Sequence, residues 1–315
     1  MKQRNYPSIL SVIVPVFNEA KAMADLLPIW IPYCQNKNWM LILINDGSFD
    51  DTAKILASYE AEKNVMVINH KLNRGYGGAI KSGILKATTR FIVTIDGDGQ
   101  HNIDDINKLL TFALEKDADM IVGSRSIYRD VNWYRTLGKW IIRKFTGFLM
   151  PLPIYDLNSG FKLYRTDLAK NFIHMCPDSM AYSDIITLMY INQRHLVLEY
   201  PILINERMTG ISTINTYTAF ETVIEILNLT MLFNPLRIFL PLSIFCIAIG
   251  LGWGTPFVLS GKGVSVGSML AIVIGILFFF LGLLASQLSA LRIGSLAQDE
   301  KIIDDQLTVF REKKR

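Results

Sequence analysis

The sequence predicts an α/β fold: a mostly parallel sheet with helices on both faces, then an amphipathic interface helix and two transmembrane helices. Three observations lead there. Through residues 1–125, short Val/Ile/Leu runs alternate with helical patterns, as parallel strands buried on both faces do. The runs end in polar, turn-forming stretches: VPVFNEA, NDGSFDDT, NRGYGG and DGDGQH. Between Arg237 and Arg292 the sole charged residue is Lys262.

Taken in order, strands are expected at 8–17, 39–46, 64–70, 90–96 and 120–125, with helices near 19–35, 51–63, 77–88 and 103–117. In such sheets ligands bind beyond the carboxyl ends of the strands, where the polar stretches lie. Lys262 divides the late apolar segment into residues 238–260 and 263–291. Each piece reaches the roughly 20 residues that cross a bilayer core, and SGKGVSVG suits a tight connection. The alternative is a buried helical hairpin. Arg237, Arg292, Lys301 and the REKKR tail lie outside the pair, so both termini and the soluble part are expected on the cytoplasmic side of an inner or plasma membrane.

The 315 residues allow one large domain or two modest ones. A formal charge of +4 gives no reason to expect nucleic acid as a partner. Cys34, Cys176 and Cys246 are odd in number and widely spaced, which fits buried thiols in a reducing compartment. No signal peptide is expected, since the N-terminal residues run directly into a strand pattern.

A dinucleotide site of the dehydrogenase kind fails, because the first strand is followed by PVFNE and not by a glycine fingerprint. Gly75, Gly77 and Gly78 either make a tight turn into a helix or let backbone approach a phosphate. Asp96 and Asp98 carry the strongest chemical signal. In extended backbone, positions i and i+2 face the same way, so the two carboxylates can converge on one point. Gly97 between them would let a ligand lie against the backbone. Hard oxygen donors suit Mg²⁺ or Mn²⁺ with a substrate diphosphate, with Gln100 as a neutral third oxygen. DGDGQHNIDD is superficially like a calcium loop, but His101 and Asn107 occupy positions that such a loop gives to Gly and Glu. The plain alternative is a turn that ends a strand.

VPVFNEA, NDGSFDDT, NRGYGGAIKSGI, IDGDGQH, VGSRS and DLNSGFKLYRTDLA together resemble the successive motifs of family-2 inverting glycosyltransferases of the GT-A fold, a Rossmann-like architecture. Within that family they are most similar to the dolichyl-phosphate mannosyltransferase-like branch, the polyprenyl-phosphate glycosyltransferases. The resemblance covers about residues 8–215 and implies roles by position. Pro15, Phe17 and Glu19 match residues that bracket base and ribose, and Asp46 an acidic residue at the base. Asn45 stands where the common form has another Asp. Asp96, Gly97, Asp98 and Gln100 match the metal and diphosphate motif. Arg207 matches an arginine near the donor diphosphate, and Thr213 replaces the lysine that ends that motif.

On the acceptor side, residues 133–149 combine an apolar face with Arg135, Lys139 and Arg143, a pattern suited to a membrane surface with anionic headgroups. The alternative is a helix packed on the sheet with a solvated basic face. For a lipid-phosphate acceptor, Arg125, Arg135 and Lys139 form the candidate clamp; Arg125 and Arg135 also resemble acceptor-phosphate arginines of the family. Residues 216–235 form a second amphipathic stretch, with Glu221 and Glu225 on its polar face. Asp156 sits where the family often places a site carboxylate, as a base or acceptor-orienting group; its plainer role is pairing with Lys162 or a nearby arginine. His101 is either a base or a hydrogen-bonding partner.

The expected organisation is a cytoplasmic glycosyltransferase domain (1–215), a juxtamembrane helix (216–235), a transmembrane hairpin (236–291) and a cytoplasmic tail (292–315). The expected activity is metal-dependent inverting transfer of a hexose from a UDP- or GDP-sugar to a polyprenyl (dolichyl or undecaprenyl) phosphate, with Asp98 and Asp156 as catalytic residues. Self-association is left open. The competing readings are transfer to a lipid hydroxyl and a non-catalytic subunit that binds nucleotide-sugar.

Overall fold

The computed structural model describes residues 8–125, 153–203, 227, 230–231 and 234–312, with backbone alone from 292 onward. These fall into two compact units, one up to residue 203 and one from 227. The first unit runs β1 (Leu10–Val16), α1 (Ala20–Asn36), β2 (Met40–Asn45), α2 (Thr52–Ala57), β3 (Val65–Asn69), α3 (Tyr76–Lys86), β4 (Phe91–Thr94), α4 (Asp104–Lys116) and β5 (Met120–Ser124). It continues through β6 (Lys162–Arg165), α5 (Thr166–Phe172), α6 (Tyr182–Asn192) and β7 (Val197–Pro201).

The described strands form one sheet in the order β3-β2-β1-β4-β6-β5-β7. β1 is parallel to β2 and β4, β2 to β3, and β5 to β7. β6 alone runs antiparallel, between β4 and β5. Alternation along the strands builds two cores. Leu10, Val12, Val14, Leu41 and Leu43 pack with α1 and α4 on one face. Ile13, Ile42 and Ile44 pack with α3, α5 and α6 on the other. Because side chains alternate with period 2, a strand buried on both faces has to be apolar throughout. That is why these strands read as continuous Val/Ile/Leu runs.

The five expected strands and four expected helices are present. α2 ends at Ala57, before the expected boundary. β4 ends at Thr94; Asp96 lies just past it and Asp98 in the turn that follows, so the two do not share a strand. Strand alternation is therefore not what aligns them. β6 and β7 complete the sheet.

The register of β6 positions the site. Thr94 pairs with Lys162 across β4 and β6, and Val122 with Lys162 across β5 and β6. The antiparallel sense sets the residues before β6 beside those after β4 and after β5. Three chain segments thus meet at one edge: 95–100, 123–125 and 156–161.

The second unit contains α7 (Leu236–Leu259) and α8 (Val266–Glu312), packed as a hairpin. Leu236–Leu259 and Val266–Leu291 have mean hydropathies of 1.9 and 2.7, and only 11% and 17% of their most apolar windows are buried within the protein. Both are long and apolar enough to cross a membrane, and this low burial argues against a soluble core hairpin. α8 does not stop where its apolar stretch stops but runs on to Glu312, where the sequence reading has a separate tail. The basic helix expected at 133–149 lies outside the described residues, as does most of 216–235.

Candidate active site

β1 and β4 are adjacent, yet the chain leaves β1 for β2 on its other side. The crevice beyond their carboxyl ends is where ligands bind in sheets of this kind. Pro15 is the next-to-last residue of β1, and Phe17 and Glu19 follow in the turn to α1. That turn is tied to the segment after β2. Asn18 N–H donates to Ser48 Oγ at 3.0 Å, Phe49 N–H to Asn18 Oδ1 at 2.8 Å, and Glu19 N–H to Thr52 Oγ1 at 3.0 Å. Asn18 has φ of 55°, which an Asn tolerates better than most residues. Phe17 stays 40% exposed and meets the Phe49 ring edge-on with centroids 6.0 Å apart.

Asp46 follows β2 and is buried. Its Oδ1 accepts from His70 Nδ1 at 2.7 Å and from Arg74 N–H at 2.9 Å, and its Oδ2 accepts from Gly75 N–H at 2.9 Å. His70 Nε2 meets Ser82 Oγ at 2.9 Å. The carboxylate that the family resemblance assigns to the base is thus already engaged in holding the 73–75 loop. Gly75 caps α3, and Cβ atoms at Gly77 and Gly78 would press on residues 177–178 and Arg74. The packing of α3 thus calls for glycine at 77 and 78, and Gly75, with φ of 86°, makes the tight turn into the helix. Asn45 links sideways, its Nδ2 donating to Asn69 Oδ1 at 3.0 Å.

Asp96 is half-buried and accepts from the Tyr76 hydroxyl at 3.1 Å. Burial pushes its carboxyl above the usual range; the Asp98 charge adds to this, while His101, the Tyr76 hydroxyl and Arg125 oppose it. Asp98 therefore faces the same region, and its Oδ1 accepts from Gln100 N–H at 3.1 Å in a tight turn. Gly97 does not open toward a ligand: a Cβ there would stand 3.2 Å from Met23 Cε and 3.4 Å from the Pro15 carbonyl, facing the packing beneath. The glycine that does make room is Gly160. A Cβ on it would lie 2.7 Å from both Asp96 Oδ2 and the Tyr76 hydroxyl.

His101 is buried and stacks on Phe161, with centroids 4.9 Å apart and planes 15° from parallel. Burial holds its imidazole below the ordinary pKa, although Asp96 and Asp98 pull it upward. Its Nδ1 is buried without a hydrogen-bond partner among the described residues.

Arg125 and Asp156 are partners, which is the plainer of the two roles expected for Asp156, pairing with a nearby arginine. Asp156 Oδ2 accepts from Arg125 N–H at 3.0 Å and from its Nε at 2.8 Å, and Oδ1 accepts from Nη2 at 2.9 Å. Burial raises the Asp156 pKa, but the Arg125 hydrogen bonds and charge outweigh it and hold the carboxyl below the usual range. Such a group is a weak proton acceptor. Arg135, Lys139 and Arg207 lie outside the described residues.

Asp96 and Asp98 fit a hard divalent cation by their chemistry, with Gln100 as a neighbouring neutral oxygen. Among the described residues no cluster of three His, Cys, Asp or Glu side chains could enclose one. Two carboxylates plus ligand oxygens is how Mg²⁺ is ordinarily held beside a phosphate. Sequence reasoning missed Tyr76, Gly160 and His70, and named Lys162 only as a possible partner of Asp156. The signal for Gly160 was within DLNSGFK, but without β6 nothing linked that stretch to Asp96.

Comparison with known proteins places the family and the fold. The model described as Glycosyl transferase family 2 matches residues 11–173, and that described as GtrB C-terminal hairpin matches residues 234–291. A dolichyl-phosphate beta-glucosyltransferase of Dictyostelium discoideum is 32% identical over 180 residues, covering 51% of this chain and 55% of that protein. The dodecaprenyl-phosphate galacturonate synthase of Rhizobium johnstonii is 29% identical over 167 residues, covering 51% and 49%. The chain thus spans about half the length of these curated relatives. The polyprenol monophosphomannose synthase of Mycolicibacterium smegmatis is 26% identical over 227 residues, covering 68% and 84%. The structure of glucosyl-3-phosphoglycerate synthase from Mycobacterium tuberculosis with Mn²⁺, UDP-glucose and phosphoglyceric acid superposes with a TM-score of 0.54 at 14% identity, covering 71% of this chain and 80% of that one. It shares the fold.

Proposed function

Because the chain belongs to glycosyl transferase family 2, we propose that it transfers a hexose, with inversion, from a UDP- or GDP-sugar to a polyprenyl phosphate. The lipid phosphate oxygen forms a bond to the anomeric carbon as the bond from that carbon to the nucleotide diphosphate breaks. Transfer takes place at the cytoplasmic leaflet, with α7 and α8 as the membrane anchor.

The observation that carries this reading is the Arg125–Asp156 pair. A hydroxyl acceptor needs a general base, and the carboxylate nearest that role is held by arginine below the usual pKa range. A phosphate monoester is already largely ionised at neutral pH and needs positioning and charge neutralisation instead. The guanidinium has five N–H donors; Nε and Nη2 face Asp156, and the remaining donors suit a phosphate. The side chain is 43% exposed, so a ligand can reach it.

On the donor side, Phe17 offers a ring for the base, and Pro15 and Glu19 line the end of β1. Asp46 acts from beneath by fixing the 73–75 loop. Asp96 and Asp98, with Gln100, would hold Mg²⁺ or Mn²⁺. When bound, such a cation neutralises charge on the departing diphosphate. Tyr76 keeps Asp96 oriented, and Arg207, Arg135 and Lys139 retain the donor and acceptor roles implied by their motifs.

The test is incubation of purified full-length protein with undecaprenyl or dolichyl phosphate, Mg²⁺ or Mn²⁺, and a panel of labelled UDP- and GDP-hexoses. A polyprenyl monophosphate sugar, identified by mass, is expected. Sugar on a lipid hydroxyl, or nucleotide-sugar binding without turnover, would overturn the reading.

A further inference from the structure

Lys162, at the start of β6, is 1% exposed. Its Nζ donates to the Leu157 carbonyl at 2.8 Å and to the Ser183 carbonyl. Leu157 directly follows Asp156, and Ser183 lies in the first turn of α6. The same ammonium therefore joins the segment carrying the site carboxylate to a helix on the other side of β6. The groups facing it are Asp184 of α6, Asp156 and Arg125 beside the site, and Cys176 after α5.

A buried ammonium is costly, and apolar side chains of similar volume often do as well or better for stability. A charge kept there needs another reason, and its surroundings supply one. The 155–160 segment is otherwise tied by Arg125, which donates to Asp156, by Glu199 Oε1, which accepts from the N–H groups of Tyr155 and Asp156 at 2.6 Å each, and by Thr94 Oγ1, which donates to the Gly160 carbonyl at 2.7 Å. Those ties reach the end of β5, β7 and β4. The Lys162 tie reaches α6, and the charges of Asp184 and Asp156 act on it.

We propose that Lys162 is a positioning residue of the transfer site: its ammonium clamps the Asp156–Gly160 segment to the first turn of α6 and so sets where the Arg125–Asp156 pair stands. It touches neither substrate. The proposal rests on the transfer reading for its kinetic consequence, but not for the clamp itself. Burial depresses the amine to about 8, with Asp184 and Asp156 pulling it back up. Activity should then fall as pH rises past that range, because the clamp loses its charge.

The experiment compares wild type, Lys162→Met and Lys162→Arg as full-length proteins in detergent. It reads amide exchange at neutral pH, and kcat and KM against pH with undecaprenyl phosphate and the donor selected by the panel. Lys162→Met should raise exchange in residues 155–161 and 182–186 and lower kcat about 10–100-fold, the scale of a misplaced reacting group. Its KM for donor should stay within about twofold, and it should lack the alkaline fall. Lys162→Arg should keep activity and shift that fall to higher pH, since arginine remains charged. Wild-type kcat and exchange in Lys162→Met, or an alkaline fall unchanged in both variants, would overturn the proposal. Should Lys162→Met not fold, an unmoved fall in Lys162→Arg overturns it alone. If no donor supports transfer, the transfer reading fails, while exchange raised in those two segments still upholds the clamp and unchanged exchange still removes it.

Discussion

Arg125 and Asp156 lie 31 residues apart in sequence and form a two-point fork, Nε to Oδ2 at 2.8 Å and Nη2 to Oδ1 at 2.9 Å. The fork closes the end of β5 onto the segment before β6. It also decides the protonation state of the site: a carboxylate held this way remains an anion through the neutral range.

Asp156→Asn should therefore lower stability by about 1–2 kcal/mol, between the values for exposed and buried pairs, since Arg125 is partly exposed. The Asp156 pKa is lowered by folding, so its contribution is present above the unfolded carboxylate pKa and fades as pH falls through the depressed one. Thermal melts of both proteins across the acid range should converge at low pH. A gap that widens there would contradict this.

Asp98→Ala should reduce transfer about 10²–10³-fold, the scale of removing a group that stabilises developing charge. The fold should persist, because Asp98 is half-buried in a turn and outside the two cores. Turnover and a circular dichroism melt on the same preparation test both halves.

Gly160→Ala would drive a methyl group into Asp96 Oδ2 and the Tyr76 hydroxyl, each 2.7 Å from the new Cβ. Overpacking of this kind costs about 1–3 kcal/mol. Mn²⁺ affinity in the presence of UDP, followed by electron paramagnetic resonance, should fall as well. Wild-type affinity would mean that Asp96 is not held by this contact.

Asp46→Asn replaces an acceptor-only group facing three donors with one that carries N–H groups of its own. The unmatched donors should cost about 1–3 kcal/mol. The 73–75 loop should loosen, raising KM for the donor more than it lowers kcat. A variant with unaltered KM would confine Asp46 to stability.

The sequence makes β1 to β5 legible because burial on both faces demands unbroken Val/Ile/Leu runs. It hides β6, four residues long and beginning with Lys162, because a lysine at a fully buried position carries no apolar signal. With β6 went the link between DLNSGFK and DGDGQH. The pair Asp96 and Asp98 was legible as chemistry, but the reason for their convergence was not: a turn brings them together, not the pleat. Asp46 shows the other limit. Its acidic character is plain, whereas its partners stand 24 to 29 residues away and appear only once α3 is packed.

The antiparallel insertion of β6 makes its ladder a ruler for the site. A one-residue slip would turn Leu163 to the wrong face, so the two cores forbid it. A two-residue slip keeps every side chain on its own face but shifts the strand by about 7 Å. Gly160 would leave Asp96, and Arg125 would lose Asp156. Such a protein would fold with full cores and an empty centre, so selection for catalysis and selection for folding meet in the register of one short strand.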